Sequence, residues 1–575
     1  MRSALMVMLL VTGACSGGQS GGTGGGAEMN TGPAGGAATA GGSSAGGATG
    51  GGSTAGGSTA GGATAGGATA GGATAGGSTA GGSTAGGGMT GTAGGGTPTG
   101  STVAITLTPA SGVTGTQRIN FGLPVSDGVA VSTPIAVRIG GSTVATFSRV
   151  LATYPSGNAR SFQVQFDAPQ GTTAAEVALG VTAPALVAQP VDSLLQNEAL
   201  ATETVRTPRV WVTLPAAHLV ASTVAGHLVT SASVTAPPMD AWKTKCNYAT
   251  YGSAAFASTI ATTGNWLYDR GTALYRGYAS TGALGPLQSA WRETDVYRQR
   301  LLASSTTPPS SDLKYAYTQN LALHYLLSGD DRFREAAETI AGRSPVSGYT
   351  GAISPSFWTE RHAGFGLLAN VWAARVSDDQ AATFRTRANT IVTNLIAIQD
   401  TSLSLTGAPA NKQLDATYRC FAHTPVAHDS SEYVNLDSAM AATLVCSPWM
   451  SAITADGLEA YADDADATRR TAALNAIVRL GRRLVNPDNR APSTGRPHYL
   501  LGLDGANAPD GFNEHWGEVA YVGAMAWHYS GRSDATLRTN ALHYVSGFST
   551  SGTIGQLRSF NWQCRSAIAT PYYLQ

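Results

Sequence analysis

The feature that most constrains the fold is a helical unit in the C-terminal half of the chain. In residues 512–537, FNEHWGEVAYVGAMAWHYSGRSDATL, a polar cluster precedes an apolar pattern in which Val519, Val522 and Ala526 are three or four residues apart. Ser530-Gly531 ends this helix, since glycine is the usual residue just past a helix C-terminus. A second helix is expected to follow, so the unit is a pair of helices joined by a tight turn.

The same pattern recurs along the chain. Its turns contain Gly282, Gly329, Ser377 and Gly531, and the first three are separated by 47 and 48 residues. About six such hairpins fit, and a helical repeat of this period forms an open solenoid or a closed ring. Long polar insertions between the hairpins favour the ring. We therefore predict an all-α (α/α)6 toroid over residues 239–575, with an open solenoid as the alternative.

The number and the positions of the cysteines are consistent with a closed ring. Apart from Cys15 the chain has four cysteines, an even number that predicts two disulfides in an exported protein. Three pairings are open. We favour Cys420–Cys446, across one insertion, and Cys246–Cys564, which would join the first and last parts of the ring. Their spacings match no zinc motif, so no metal site is predicted from them.

Residues 101–238 have a different pattern. Short alternating runs such as 103–107 (VAITL) and 162–166 (FQVQF) are separated by turn clusters. This is typical of an antiparallel β-sandwich. The segment has no constellation of histidines, cysteines or carboxylates, so we expect it to support the helical domain or to contact glycans.

The first fifteen residues are typical of an export signal. Arg2 precedes the apolar run 5–11, which is too short to span a bilayer. The sequence Thr-Gly-Ala-Cys15 that follows resembles the lipobox of bacterial lipoproteins, in which the cysteine is lipidated after cleavage. By the same resemblance, Ser16 is compatible with an outer-membrane address. The resemblance implies lipid anchoring at the outer membrane or cell surface; ordinary secretion is the alternative.

Residues 16–100 consist of Gly, Ala, Ser and Thr repeats without recurring large apolar side chains. Such a segment cannot form a core and is predicted to be a disordered linker. The chain has 35 basic and 35 acidic residues. This balance gives no electrostatic basis for binding nucleic acid or an anionic membrane surface. We expect a monomer that contacts the membrane only through its lipid.

The predicted inner helices begin with polar and aromatic residues. In a closed ring these helix N-termini converge on one crevice, where positive potential and free N–H groups suit an anionic or polyhydroxyl ligand. The residues are Asp269 and Arg270, Tyr317 and Asn320, Trp358, Arg361 and His362, His428 and Tyr433, and Asn513, Glu514, His515 and Trp516.

One family resemblance lies in the β-rich segment. Residues 119–128, INFGLPVSDG, are similar to the FGxPxxxG opening of N-terminal β-domains in exo-acting rhamnogalacturonan lyases and their relatives. The later Tyr154-Pro155-Ser156-Gly157 resembles that family's WPDGS turn, with Tyr154 in place of Trp and Ser156 in place of Asp. Together with the predicted toroid, the chain resembles a secreted polysaccharide lyase-like lipoprotein. The resemblance implies a pectin-like or other uronate substrate, although the Asn-Asn-His signature of heparinase-like toroids is absent.

We therefore predict an extracellular uronate-polysaccharide lyase that acts by β-elimination. Arg361, Asn320 and Asn513 would neutralise the sugar carboxylate. His362, His428 or His515 would act as base, and Tyr433 as acid or base. The remaining predicted contacts with the polysaccharide are Trp358 and Trp516, which would stack on sugar faces, and Asp269, Arg270 and Tyr317.

Two alternatives stay open. A glycoside hydrolase would need two carboxylates across the cleft, such as Glu514 with Asp429 or Glu432, or Asp269 with Glu514. A non-catalytic glycan-binding surface lipoprotein would need none. No cofactor is predicted, apart from a Ca²⁺ ion as the alternative to a solvated turn in residues 463–466 (DDAD).

Overall fold

The computed structural model describes residues 101–575 except 202, 253–266, 304–312, 345–358, 402–418, 424–444, 503–506, 510–512 and 556. All the described residues belong to one compact unit, residues 90–575. Six residues with predicted roles lie outside the described part of the chain: Cys15, Trp358, His428, Asp429, Glu432 and Tyr433.

Residues 102–213 form several antiparallel sheets, as the alternating pattern predicts. The strands are β1 (Thr102–Pro109), β2 (Gln117–Pro124), β3 (Ile135–Ile139), β4 (Ser142–Val144), β5 (Thr146–Thr153), β6 (Ala159–Ala168), β7 (Ala174–Leu179), β8 (Leu195–Leu200), β9 (Glu203–Pro208) and β10 (Val210–Thr213). The strand orders are β10-β1-β7-β3-β4, β2-β6-β5 and β8-β9. A further sheet of order β11-β12-β13 lies within the helical region and comprises β11 (Val445–Cys446), β12 (His498–Gly502) and β13 (Asn507–Pro509).

The two larger sheets share one hydrophobic core. Strand β1 buries every second side chain, Val103, Ile105 and Leu107, because successive side chains of a strand point to opposite faces. In the other sheet Phe121 of β2 lies opposite Val164 of β6, and both belong to the same core as the β1 residues.

The rest of the described chain is mainly helical. The helices are α1 (Ala216–Ala221), α2 (Ala241–Lys245), α3 (Tyr248–Tyr251), α4 (Arg270–Thr281), α5 (Leu284–Ala303), α6 (Thr318–Ser328), α7 (Asp331–Arg343), α8 (Glu360–Val376), α9 (Ala381–Thr401), α10 (Met450–Asp464), α11 (Ala467–Leu484), α12 (Trp516–Tyr529), α13 (Ala535–Thr550), α14 (Leu557–Ala567) and α15 (Thr570–Leu574). None of the helices in the described ranges is long and apolar enough to cross a bilayer. The predicted turns are present: Gly282 and Gly329 end α4 and α6 with φ of 67° and 70°.

Contacts between alternate helices form a closed series. Helix α4 contacts α6, α6 contacts α8, and the series continues through α10, α12 and α14 back to α4. Every residue of α8 is buried, whereas α7 and α11 bury one face only. A helix that is buried all round lies inside a structure, so this series is the inner layer. Helices α5, α7, α9, α11 and α13 pack outside it.

Three buried charged residues, Asp456, Arg276 and Arg565, form ion pairs between inner helices, and we call them the central triad. Asp456 of α10 pairs with Arg276 of α4 and with Arg565 of α14, each at 2.6 Å. Arg565 also donates to Gln319 Oε1 of α6 at 2.6 Å. Tyr521 of α12 donates to Asp456 Oδ1 at 3.3 Å. Burial alone would raise the pKa of Asp456, but the two guanidinium groups hold it below its usual value.

The sheet β2-β6-β5 packs against the C-terminal end of α6. Asn120 Nδ2 donates to Ser328 O at 2.7 Å, and Ser161 Oγ donates to Leu326 O at 2.6 Å. These bonds satisfy carbonyl groups that a helix C-terminus leaves without intrahelical partners. The β-rich region therefore covers this end of the inner layer, opposite the helix N-termini.

Both predicted disulfides are confirmed. Cys246–Cys564 links the segment after α2 to α14 with a sequence separation of 318, and Cys420–Cys446 has a separation of 26. The first therefore cross-links the beginning of the helical region to its last inner helix.

The contact between β2 and α6 predicts that Gly122 cannot be replaced. A Cβ at Gly122 would lie 2.0 Å from Leu326 O, which is backbone and cannot move aside. We expect Gly122→Ala to lower the free energy of unfolding by about 1–3 kcal/mol, the usual range for overpacking. Gly342→Ala is the control, since a Cβ there meets nothing within 4 Å. Denaturant unfolding measures both, and equal midpoints for the two variants would contradict the packing described.

Candidate functional site at the helix N-termini

Arg361 and Tyr268 meet at the N-terminal end of the inner layer. Arg361 is the second residue of α8, and Tyr268 lies two residues before α4. Arg361 Nη1 donates a hydrogen bond to Tyr268 Oη at 2.8 Å. The guanidinium carbon lies 5.9 Å from the Tyr268 ring centre and 5.8 Å from that of Trp449, within cation–π range.

His515 packs against the same tryptophan. The imidazole stacks on Trp449 with ring centres 4.7 Å apart and an interplanar angle of 5°. Its Nδ1 lies 3.2 Å from Glu518 Oε1 of α12. A carboxylate at Nδ1 favours the tautomer with the proton on that nitrogen, so Nε2 is the basic atom.

Two further rings complete what we call the mouth cluster, defined as Arg361, His515, Tyr268, Trp449, Trp562 and Tyr499. His515 lies 5.1 Å from Trp562 and 5.8 Å from Tyr499, and Tyr268 lies 5.0 Å from Trp562, between ring centres. Its members come from the N-terminal ends of α4, α8, α10 and α12, from strand β12 and from α14. The structure thus brings together predicted residues that are 154 positions apart, Arg361 and His515.

Strained backbone holds the phenol of Tyr268. Tyr268 and Asp269 both have left-handed backbone conformations, with φ of 71° and 66°. Such residues cost about 1–3 kcal/mol each and persist only where the surroundings hold them. Here Tyr317 Oη accepts a hydrogen bond from Tyr268 N at 2.9 Å, and Asp269 caps α4 by accepting from Thr272 N at 3.0 Å. Asp269 and Tyr317 therefore position Tyr268.

Arg361 is positioned by its neighbour, Glu360. The buried Glu360 Oε1 accepts from Ser447 N at 2.6 Å, and Oε2 lies 3.1 Å from His423 Nδ1. The Glu360 carbonyl oxygen accepts from Thr454 Oγ1 of α10 at 2.7 Å. The N-terminus of α8 is therefore fixed to α10 and to the segment that carries the second disulfide.

The other predicted residues near the N-terminal ends of α4, α6 and α8 have structural contacts. Arg270 forms a buried ion pair with Glu293 of α5 at 2.8 Å. Burial raises the pKa of Glu293 to about 7 although Arg270 opposes the shift. Asn320 is buried, with its Cβ close to Gly271 of α4. His362 Nδ1 lies 2.7 Å from Thr359 Oγ1, a contact at the start of its own helix.

The residues around His515 also have packing roles. Trp516 is 3% exposed and donates from Nε1 to Asn513 Oδ1 at 2.8 Å. It packs against Gly547 of the outer helix α13, so the predicted role in stacking on a sugar face is not supported. Glu514 Oε1 accepts from Ser559 Oγ at 2.7 Å. Asn513 has a left-handed φ of 59° and donates to Ser551 O at 2.5 Å, which shapes the start of α12.

Three aromatic members of the mouth cluster were not predicted from the sequence: Trp449, Trp562 and Tyr499. Tyr268 was placed at the start of the first predicted inner helix, directly before Asp269, but no role was predicted for it. Trp449 lies directly before α10, at a helix start like those of the predicted residues. Trp562 and Tyr499 carry no such signal, since one lies within a helix and the other on a short strand.

The loop proposed for Ca²⁺ has protein partners. Asp464 pairs with Arg160 at 2.8 Å and also with Arg375. Asp463 pairs with His227 at 3.1 Å, and Asp466 caps α11. These contacts compensate the carboxylates without a metal ion.

A second acidic group could hold a cation. Among the described residues, Glu338, Asp378 and Asp379 each offer a carboxylate oxygen within 4.8 Å of the others. Arg334 already pairs with Asp378 at 2.8 Å, so part of this negative charge is neutralised.

The chain matches none of the known family models or curated proteins with which it was compared.

The contact between His227 and Asp463 predicts a pH dependence of stability. Burial alone would lower the imidazole pKa, but Asp463 and Glu459 raise it to about 9. Because the folded pKa exceeds the unfolded value of 6.5, the pair stabilises fully below pH 6.5 and this contribution is lost as pH rises to about 9. The free energy of unfolding of the wild type should therefore fall as pH rises from 6.5 to about 9. We expect this fall to be smaller by about 1–3 kcal/mol in His227→Gln.

Denaturant unfolding at several pH values between 6 and 10 measures the effect. His543→Gln is the matched control, because His543 contacts the carbonyl oxygen of Gly495 rather than a carboxylate. Parallel stability curves for wild type and His227→Gln would contradict the assignment.

Proposed function

We propose that this protein is a uronate-polysaccharide lyase whose active site is the mouth cluster. The observation that carries the proposal is the convergence of a guanidinium, a phenol and an imidazole at one end of the inner helices. Arg361 donates to Tyr268 Oη at 2.8 Å, and His515 stacks on the Trp449 ring that also faces Arg361. These are the three types of group that β-elimination requires.

The scaffold in this proposal is an (α/α)6 toroid preceded by a β-sandwich. Support for the toroid comes from the closed series of contacts among α4, α6, α8, α10, α12 and α14. Support for the sandwich comes from the two larger sheets, whose buried side chains belong to one core. In such a ring the helix N-termini face the same crevice, where their positive potential favours an anionic polymer.

The chemistry assigns one task to each group. A base removes the C5 proton of a uronate residue, the C4–O bond breaks, a double bond forms between C4 and C5, and the leaving oxygen takes a proton. Arg361 neutralises the sugar carboxylate and so stabilises the charge that develops when C5 is deprotonated. His515 accepts the C5 proton at Nε2 while Glu518 stabilises the imidazolium that forms. Tyr268 donates the proton to the leaving oxygen, and the neighbouring guanidinium stabilises the resulting phenolate.

Single substitutions in the mouth cluster test the proposal. We expect Arg361→Gln, His515→Ala and Tyr268→Phe each to lower the rate of product formation at least 100-fold, because general acid–base groups and groups that stabilise developing charge typically each contribute that much or more. The measurement is the absorbance of the unsaturated product on a panel of uronate polymers. His543→Ala and Tyr572→Phe are matched controls outside the cluster and are expected to keep wild-type rates.

The same assay separates the alternatives. New reducing ends without an unsaturated product would contradict the lyase and favour a glycoside hydrolase. Binding to a polymer with no product on any member of the panel would favour a glycan-binding surface protein. Wild-type rates in Arg361→Gln and His515→Ala would show that the reaction occurs elsewhere in the chain.

We further propose that the enzyme is a lipoprotein of the outer membrane or cell surface. The support is the signal-like N-terminus that ends in Thr-Gly-Ala-Cys15 and the repeat-rich linker that follows it. We expect Cys15→Ala to abolish labelling by a radioactive fatty acid and to release the protein from the membrane fraction. Labelling that survives the substitution would contradict the proposed site of lipidation.

A further inference from the structure

A cavity of about 180 Å³ lies at the opposite end of the inner helices from the mouth cluster. It opens between the β5–β6 turn, the α8–α9 turn and the α10–α11 turn, so the β-rich and helical regions both contribute walls. None of the residues predicted from sequence to bind substrate lines it.

The cavity wall carries an excess of positive charge. Arg160, Arg375, Arg385 and Arg469 line it together with two carboxylates, Asp464 and Asp466. Three of these arginines are paired: Arg160 and Arg375 with Asp464, and Arg469 with Asp466.

Arg385 differs from the other three arginines. It lies in the second turn of α9, it is exposed, and no carboxylate or other side chain in the described part of the molecule pairs with it. Because a guanidinium presents a planar set of donors that matches a carboxylate, Arg385 supplies the anchor for one negative charge at this wall.

The remaining wall suits a ring. Val371 and Ala374 of α8, Ala388 of α9 and Pro155 present aliphatic surface. Tyr461 adds an aromatic ring whose hydroxyl is held by Asn389 Oδ1 at 2.7 Å. A cavity of about 150 Å³ holds benzene, so a cavity of about 180 Å³ has room for one six-membered ring.

We propose that this cavity is a second binding site, specific for a small molecule that carries one carboxylate on a six-membered ring. The carboxylate pairs with Arg385 and the ring lies against the aliphatic wall. The site does not rest on the proposed lyase activity, since it shares no residue with the mouth cluster.

Isothermal titration of the full chain tests the proposal with two probes, glucuronate and benzoate. We expect wild type to bind at least one of them, and Arg385→Gln to weaken that binding at least tenfold, as expected for the loss of a charged hydrogen bond. Arg470→Gln is the matched control, because Arg470 is exposed one residue from Arg469 but does not line the cavity. Preference for glucuronate would identify a sugar acid, and preference for benzoate an aromatic acid.

A substitution in the mouth cluster distinguishes binding at this cavity from binding at the mouth cluster. Arg361→Gln is expected to keep the binding that Arg385→Gln loses, whereas glucose, which has no carboxylate, is expected not to bind. Three results would overturn the proposal: no heat from either carboxylate at millimolar concentration, equal weakening by Arg385→Gln and Arg470→Gln, or loss of binding in Arg361→Gln alone.

Discussion

The central triad is the interaction on which the arrangement of the inner helices depends. Asp456 pairs with Arg276 and Arg565, and the hydrogen bonds of Gln319 and Tyr521 bring two more helices to the same point. Removing one partner from such a buried pair is strongly destabilising, because the remaining charge is left without compensation. Only a narrow set of helix positions satisfies all these groups, so the network specifies how the helices are arranged more than it adds to their stability.

The candidate site lies at the other end of the inner helices from the β-rich region. The β-rich region packs at the C-terminal end of α6. The mouth cluster lies at the N-terminal ends, where unpaired N–H groups favour bound anions. Helix starts are also where the backbone can leave helical geometry. The left-handed Tyr268 and Asp269 use this freedom to direct the phenol towards Arg361. Backbone strain of this kind is concentrated at functional sites.

The sequence predicted the features that depend on local pattern. Glycine at a helix C-terminus predicted the turns at Gly282 and Gly329, and the alternation of apolar and polar residues predicted the strands. The two disulfides followed from an even cysteine count and from the positions of Cys246 and Cys564 near the two ends of the helical region. The convergence of Arg361 and His515 was expected from the predicted ring, in which equivalent ends of successive inner helices would meet.

Other properties of the site could not be predicted from the local sequence pattern. A polar residue at a helix start has the same pattern whether it caps its own helix, as Asp269 does, or contacts a residue at the start of another helix, as Arg361 contacts Tyr268. Trp516 and Trp449 both stand at helix starts, yet one packs outward against Gly547 and the other inward against His515. The difference depends on the rotation of each helix about its axis, which long-range packing sets. The pairing of Arg270 with Glu293 of the outer helix α5 likewise depends on how the two helices are rotated.

The most direct test of the central claim, that the helix N-termini form one substrate site, is a crystal structure of His515→Ala with a bound uronate oligosaccharide. We predict that a sugar carboxylate contacts the Arg361 guanidinium and that the scissile C4 oxygen lies within hydrogen-bonding distance of Tyr268 Oη. An oligosaccharide bound only to other surfaces, with Arg361 and Tyr268 free of sugar contacts, would contradict the account.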